Sequence, residues 1–243
     1  MNILAIDAGN TRVKWGLADA SGWLRHGWIA TAEASGMGAA LGGVPAPQRI
    51  AVSNVAGASV RDTIAQALSP YAVEPLWVTA RAQQCGVRSS YADPAQLGCD
   101  RWAALIAAWK LFGRACTVVN AGTTMTVDAL SAEGVFLGGF IVPGADLMRA
   151  SLDHGTAQLR QSDGEFSYYP DNTADAIMSG AINALAGAVE RMAGYMERTG
   201  QGAPLVVLSG GAAETLRPRL NANVELVDNL VLEGLLCIAR DGG

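Results

Sequence analysis

Residues 1–17 read MNILAIDAGNTRVKWGL, and residues 115–130 read ACTVVNAGTTMTVDAL. In each stretch an apolar run stops at a glycine-containing turn and an alternating run follows, which is the pattern of strand, tight turn and strand. The turns are Asp7-Ala8-Gly9-Asn10-Thr11 and Asn120-Ala121-Gly122-Thr123-Thr124, and their first residues lie 113 positions apart in a chain of 243. For either turn alone, an ordinary β-turn that uses Asn and Gly for conformational reasons is a sufficient account. The pair, at nearly half the chain length, calls for another.

The flanking segments repeat the same grammar. After the first turn come a strand at Leu24–Ile29, a helical stretch at Thr31–Leu41, a strand at Arg49–Ser53, a helix at Ala58–Leu68, a strand at Leu76–Val78 and a helix at Asp100–Phe112. After the second come a strand at Val135–Val142, helices at Ala145–Leu152 and Thr173–Glu197, a strand at Leu205–Ser209, a turn at Gly210-Gly211 and a last helix at Leu230–Ala239. Gln158–Asp171 lacks periodicity and reads as a loop. The expectation is an α/β chain made by internal duplication, with lobes at residues 1–114 and 115–243 facing each other across a cleft.

Composition narrows the function. Half the chain is apolar, net charge is −5, and Lys and Arg never cluster beyond a pair. That excludes a protein whose main partner is nucleic acid or an anionic membrane. No apolar run approaches the roughly 20 residues of a membrane span, and Met1–Ile6 runs straight into a strand without a basic leader; a cytoplasmic location is expected. The four cysteines form no C-x-x-C pair and only two histidines accompany them, so reduced thiols are expected rather than a zinc site.

The turns suit phosphate. Glycine admits close backbone approach and positive φ, which exposes N–H donors, while Thr and Asn add side-chain donors. Asp7 suits Mg²⁺, held through water. Lys14, one strand pitch beyond, reaches phosphate as a point charge. Gly210-Gly211, between a strand and a helix, is a place for a nucleobase or ribose to lie on bare backbone. No G-x-x-x-x-G-K-[ST] or G-x-G-x-x-G is present. In Gly98-Cys99-Asp100-Arg101, Asp100 opens a helix and is either a general base for an alcohol or an N-cap. Arg101 is either a fork for a carboxylate or phosphoryl group, or a solvated face residue.

Taken together these segments resemble the type III pantothenate kinase family along nearly the whole chain. The residues that carry the resemblance are Asp7 to Lys14, Tyr91, Gly98 to Arg101, Asn120 to Thr123, Gly138 to Gly144, Asn172-Thr173 and Ser209 to Gly211. It implies a duplicated ribonuclease H-like (actin-like) two-lobe fold, each lobe a mixed sheet flanked by helices. It implies transfer of a phosphoryl group from ATP to pantothenate, the first step of coenzyme A biosynthesis, by a Mg²⁺-dependent homodimer that uses K⁺ or NH₄⁺. By the same resemblance ATP is held by Asp7, Ala8, Gly9, Asn10, Thr11, Arg12, Val13, Lys14 and Thr123. Pantothenate is held by Tyr91, Gly98, Cys99, Asp100, Arg101 and Thr173, with Asp100 as base. The family's second turn opens with an aspartate at the monovalent cation, where this chain has Asn120, an oxygen ligand without charge. Two other functions share parts of the pattern: a kinase of the same superfamily for another hydroxyl or carboxylate acceptor, and a non-catalytic regulatory protein, for which loss of Asp7 or Asp100 is expected.

Overall fold

The structure, a computed structural model, describes residues 1–155 and 163–242. In chain order the elements are β1 (Ile3–Ala8), β2 (Arg12–Ala18), β3 (Trp23–Ala30), a 3₁₀ turn at Thr31–Gly36, α1 (Met37–Ala40), β4 (Arg49–Asn54), α2 (Ala58–Leu68), β5 (Leu76–Trp77), β6 (Gln83–Gln84), β7 (Val87–Ser89) and α3 (Cys99–Phe112). They continue with β8 (Cys116–Ala121), β9 (Thr124–Leu130), β10 (Val135–Pro143), α4 (Ala145–Gly155), α5 (Thr173–Arg198), β11 (Leu205–Ser209), α6 (Ala213–Leu216), β12 (Val224–Leu226) and α7 (Leu230–Asp241). Part of the expected Gln158–Asp171 loop, residues 158–162, lies outside the described residues; 163–171 contain no helix or strand.

The chain divides into two compact units, Met1–Gly113 with Asn229–Gly243, and Arg114–Asp228. In the first the strands run in the order β3-β2-β1-β4-β5, antiparallel up to β1 and parallel beyond it. In the second the order β10-β9-β8-β11-β12 repeats the same directions. The duplication read from the two turns is therefore a duplication of sheet topology. The second hairpin is one residue tighter, because Ala121 pairs with Met125 where Ala8 pairs with Val13.

Each sheet is mixed and flanked by helices. On one face of the first, Leu4, Ile6, Ala8, Val13, Trp15 and Leu17 pack against Met37, Leu41, Ile64 and Leu68. The other face carries small residues, Ala5, Gly16 and Ala51, and α7 lies over β1 and β4 there. Burial on both faces explains why β1 reads as a continuous apolar run rather than an alternating one. In the second unit Val119, Met125, Val127, Val206 and Leu208 meet Ile182, Leu185, Val189 and Met192 of α5.

Three features differ from the sequence reading. Strands β6, β7 and β12 have two or three residues and are too short to show a period. The stretch Thr31–Leu41 is a 3₁₀ turn followed by a single α turn, as expected where Gly36, Gly38, Gly42 and Gly43 weaken the helix. The lobe boundary expected at 115–243 is corrected, because Asn229–Gly243 belongs to the first unit.

Packing explains that last correction. Helix α7 buries Leu230, Val231, Leu232, Leu235, Leu236, Ile238 and Ala239, and a helix apolar nearly all round needs cover on several sides. It finds β1, β4 and α3 together. Polar ties complete the join: Trp23 Nε1 donates to Glu233 Oε1 at 2.6 Å, and Arg240 donates to the Asp19 carbonyl at 2.9 Å. The Arg49 guanidinium caps the Ala239 carbonyl. At Gly234 the backbones of α7 and α3 touch, and a Cβ there would overlap the Ala103 carbonyl. Gly234→Ala is expected to force the helices apart and to destabilise the protein by about 3 kcal/mol in a urea unfolding titration; an unchanged midpoint contradicts this packing.

Candidate active site

The site in the first unit grows from strand register. Asp7 is the penultimate residue of β1 and pairs with Lys14 on β2 and with Ser53 on β4. Lys14 in turn pairs with Trp28 on β3. Residues directly opposite one another share a sheet face, so Trp28, Lys14, Asp7 and Ser53 form one row. The row lies at the carboxyl ends of the parallel strands β1 and β4, where ligands bind in open α/β sheets. Arg12, two residues before Lys14 and so on the same face, lays its guanidinium 4.5 Å from the Trp28 ring centre.

Helix α3 brings the second carboxylate. Its N-terminus meets the end of β4, with Cys99 Sγ 3.4 Å from Ser53 Oγ and 3.6 Å from the Asn54 carbonyl. Gly98, not Asp100, is the N-cap residue, so the capping alternative for Asp100 is set aside. Asp100 lies in the first helical turn, and its Oδ1 accepts from the Arg101 amide at 2.8 Å. A Cβ on Gly98 would come within 2.6 Å of that oxygen; glycine there leaves room for the carboxylate. Arg101 is 7 % exposed, which excludes the solvated-face alternative.

The two carboxylates repel. Burial pushes Asp7 up to about 7 and Asp100 adds to the rise, while Lys14 and the Ser53 hydroxyl oppose it. Asp7 keeps some accessible surface as a residue. Its Oδ1, however, is buried and has no hydrogen-bond partner. An acceptor in that state, beside a second acid, fits a cation. Among the described residues no group of three or more His, Cys, Asp or Glu side chains gathers as a metal site. Magnesium does not need one, since it takes one or two carboxylates and completes its shell with water and phosphate oxygens. The donor set therefore fits Mg²⁺ at Asp7.

The turn itself departs from expectation. Neither Gly9 nor Gly122 has positive φ. The Gly9 amide donates to the Arg12 carbonyl at 3.0 Å and the Gly122 amide to the Thr124 carbonyl at 3.1 Å, so both close their hairpins rather than face a ligand. The first loop is tied down further by Thr31, whose Oγ1 donates to the Gly9 carbonyl at 2.7 Å and whose amide donates to the Thr11 carbonyl at 3.0 Å. Asn10 and Thr11 form its exposed tip. Ala8 and Val13 point their side chains into the core and offer a ligand only backbone.

In the second unit two glycines crowd the turn at Asn120. Gly144 donates to the Thr123 carbonyl at 2.9 Å, and a Cβ on it would sit 2.7 Å from that oxygen. Gly210 has φ +101°, and a Cβ there would overlap the Ala121 carbonyl. Gly144, which follows β10, and the turn Gly210-Gly211 thus converge on one hairpin, with Thr123 exposed at its tip. Asn120 pairs with Thr126 and Ser209. Asp128, 1 % exposed, lies on the same face as Thr126 two positions along β9 and was not singled out in the sequence.

Two further expected residues are Thr173 and Tyr91. Thr173 is the first residue of α5, behind the Asn172 cap whose side chain accepts from the Asp175 amide at 3.0 Å. It lines a groove of about 720 Å³ with Met148, Leu152, Ile177 and Gly180, to which the turn at Asn120 contributes nothing. Tyr91 follows β7 and is held by a 3.2 Å bond from its amide to Ser89 Oγ. Ser53 went unnoticed in the sequence because a lone serine inside a strand carries no pattern; only register places it against Asp7.

The fold is that of a class of solved structures that share little sequence with this chain. A ROK family glucokinase from Streptomyces griseus, solved in complex with glucose and AMPPNP, matches with a TM-score of 0.53 at 12 % identity over 100 % of each chain. Within that class the sequence is decisive. Residues 3–194 match the model of type III pantothenate kinase. The type III pantothenate kinase of Nitrosospira multiformis is 52 % identical over 239 residues, covering 98 % of this chain and 91 % of its own. That of Aromatoleum aromaticum is 48 % identical, covering 98 % of each. The chain belongs to the type III pantothenate kinase family.

The raised Asp7 has a consequence for stability. Between about pH 4 and pH 7 the unfolded chain releases this proton while the folded chain keeps it, so the folded state binds more protons and stability falls as pH rises. In metal-free buffer Asp7→Asn is expected to stabilise the protein by ~2 kcal/mol at about pH 8, with water contact at the site moderating the effect, and by little at about pH 4.5. Thermal melts across that range check this; a gap independent of pH contradicts a neutral, buried Asp7.

Proposed function

We propose that this chain phosphorylates the primary hydroxyl of pantothenate with ATP, with Asp100 as the base. The observation that carries the reading is the carboxylate pair: Asp100 lies close enough to oppose the charge on Asp7, at the strand ends and beside Lys14. Asp100 accepts the hydroxyl proton as that oxygen attacks the γ-phosphorus. The bond to the β-phosphate bridging oxygen breaks, leaving ADP and 4′-phosphopantothenate. Lys14 and the tip residues Asn10 and Thr11 grip the phosphates, Arg12 is steadied by Trp28, and Thr123 adds a further donor. Asp7 would hold Mg²⁺, through water, and the ion when bound would supply charge neutralisation to the phosphates. The segment Gly98 to Arg101 holds the acceptor with Tyr91 and Thr173, and the buried Arg101 suits the pantothenate carboxylate.

Asn120 gives a monovalent cation an oxygen but no charge, so its hold on K⁺ or NH₄⁺ is weak. The cytoplasm suits four free thiols, and among the described residues no helix is long and apolar enough to cross a membrane. The active form is a homodimer through the α4 and α5 face, where Leu147 and Leu152 are 41 % and 36 % exposed beside the groove at Thr173. A monomeric mass by light scattering at micromolar concentration contradicts the dimer.

The deciding experiment is ADP release with ATP and pantothenate, with Na⁺, K⁺ or NH₄⁺ as the single monovalent cation. Turnover is expected with pantothenate, and the three cations are expected to differ little. Asp100→Asn is expected to fold normally and to lose about 10² to 10⁴ in rate. No product with any cation defeats the reading, and near-normal turnover of the variant removes Asp100 from the role of base.

A further inference from the structure

We propose that Ser53 is a positioning residue for the Asp7 carboxylate, holding one of its oxygens so that the other is presented to the metal. Ser53 is fully buried, at 0 % exposure, on the strand next to β1 and directly opposite Asp7. Across the strand pair its hydroxyl faces the Asp7 carboxylate and works against the rise in the Asp7 pKa. Oδ1 of Asp7 has no partner, which leaves Oδ2 as the oxygen for the serine to hold. On its other side, Ser53 Oγ has Cys99 Sγ at 3.4 Å. In the ionised form that a cation requires, the Asp7 carboxylate can only accept, so Ser53 donates to it and turns its lone pair to the thiol. With a partner on each side the serine rotamer is held, and with it the rotation of the carboxylate.

The duplication supplies an independent observation. In the second unit Ser209 stands opposite Asn120, in the same register and also buried, at 5 % exposure. Both units thus place a buried serine on the next parallel strand, facing the residue that opens the glycine turn. In the first unit the serine also joins the two halves of the site, because Cys99 belongs to the segment that carries Asp100. Partners of this kind behind a metal-binding carboxylate set its orientation, and their loss costs about 10–100-fold in metal affinity or activity.

The inference rests on the reading of Asp7 as the metal-side carboxylate, so both residues are tested together. Calorimetry measures binding of the non-hydrolysable analogue AMPPNP to the full chain, with Mg²⁺ and with EDTA, for wild type, Ser53→Ala, Ser53→Thr and Asp7→Asn. For Ser53→Ala the gain in affinity that Mg²⁺ confers is expected to fall about tenfold, with EDTA-state binding and the apparent KM for pantothenate unchanged within about twofold. Ser53→Thr, which keeps the hydroxyl, is expected to retain the gain, and Asp7→Asn to lose it. An undiminished gain in Ser53→Ala, or equal losses with Mg²⁺ and with EDTA, overturns the positioning role and leaves Asp7 in place. An undiminished gain in Asp7→Asn removes the metal from Asp7 and the inference with it. Melting of each variant without ligand separates misfolding from these outcomes, and if Ser53→Ala does not fold, loss of the gain in a folded Ser53→Thr overturns the role of the hydroxyl.

Discussion

A carboxylate sits where burial and a like charge both disfavour its ionisation, and the first unit is arranged around that constraint. Asp7 ends β1 beside Asp100, and burial and repulsion together push it up to about 7. Lys14 and Ser53, its cross-strand neighbours, compensate only in part. An arrangement that disfavours charge in the empty protein stores an appetite for a cation, and the orphaned Oδ1 marks where that appetite points. Strand pairing, the Gly98 gap and the start of α3 all serve to hold this pair of acids at the carboxyl ends of parallel strands.

Close backbone approach is the second recurrent device. Gly234 lets α7 lie directly on α3, and Gly144 and Gly210 let two loops lie directly on the hairpin at Asn120. At each position a methyl group would collide with a carbonyl that is itself fixed by secondary structure, so neighbours cannot yield by rotating a side chain. The glycines at the tips of the two turns work differently. Gly9 and Gly122 use their amides to close the hairpins, which leaves the polar residues Asn10 with Thr11, and Thr123, at the exposed tips.

Much of this was legible in the chain. The paired turns disclosed the duplication, because a hairpin between an apolar and an alternating run depends on local periodicity alone. Asp7 and Lys14 stood out by their place in and just beyond the first turn, and Asp100 by its place at the start of a helix. Ser53 was not, since its meaning lies in a parallel pairing between strands separated by 46 residues. Nor was the burial of Arg101, because a charged residue in the first turn of a helix ordinarily faces water. The home of α7 differs from chain order for the same kind of reason: chain order places it in the second half, whereas its apolar surface packs chiefly on α3, β1 and β4.

By itself the sequence determined the two hairpins and the helices with clear periodicity, since each of these depends on neighbours within a few positions. The tertiary structure alone decided which oxygen of Asp7 stays unpaired, that Asp100 is not a cap, that Ser53 backs the carboxylate and that the chain's last helix completes its first unit. Those properties come from desolvation and from contacts between distant segments, and a linear pattern records neither.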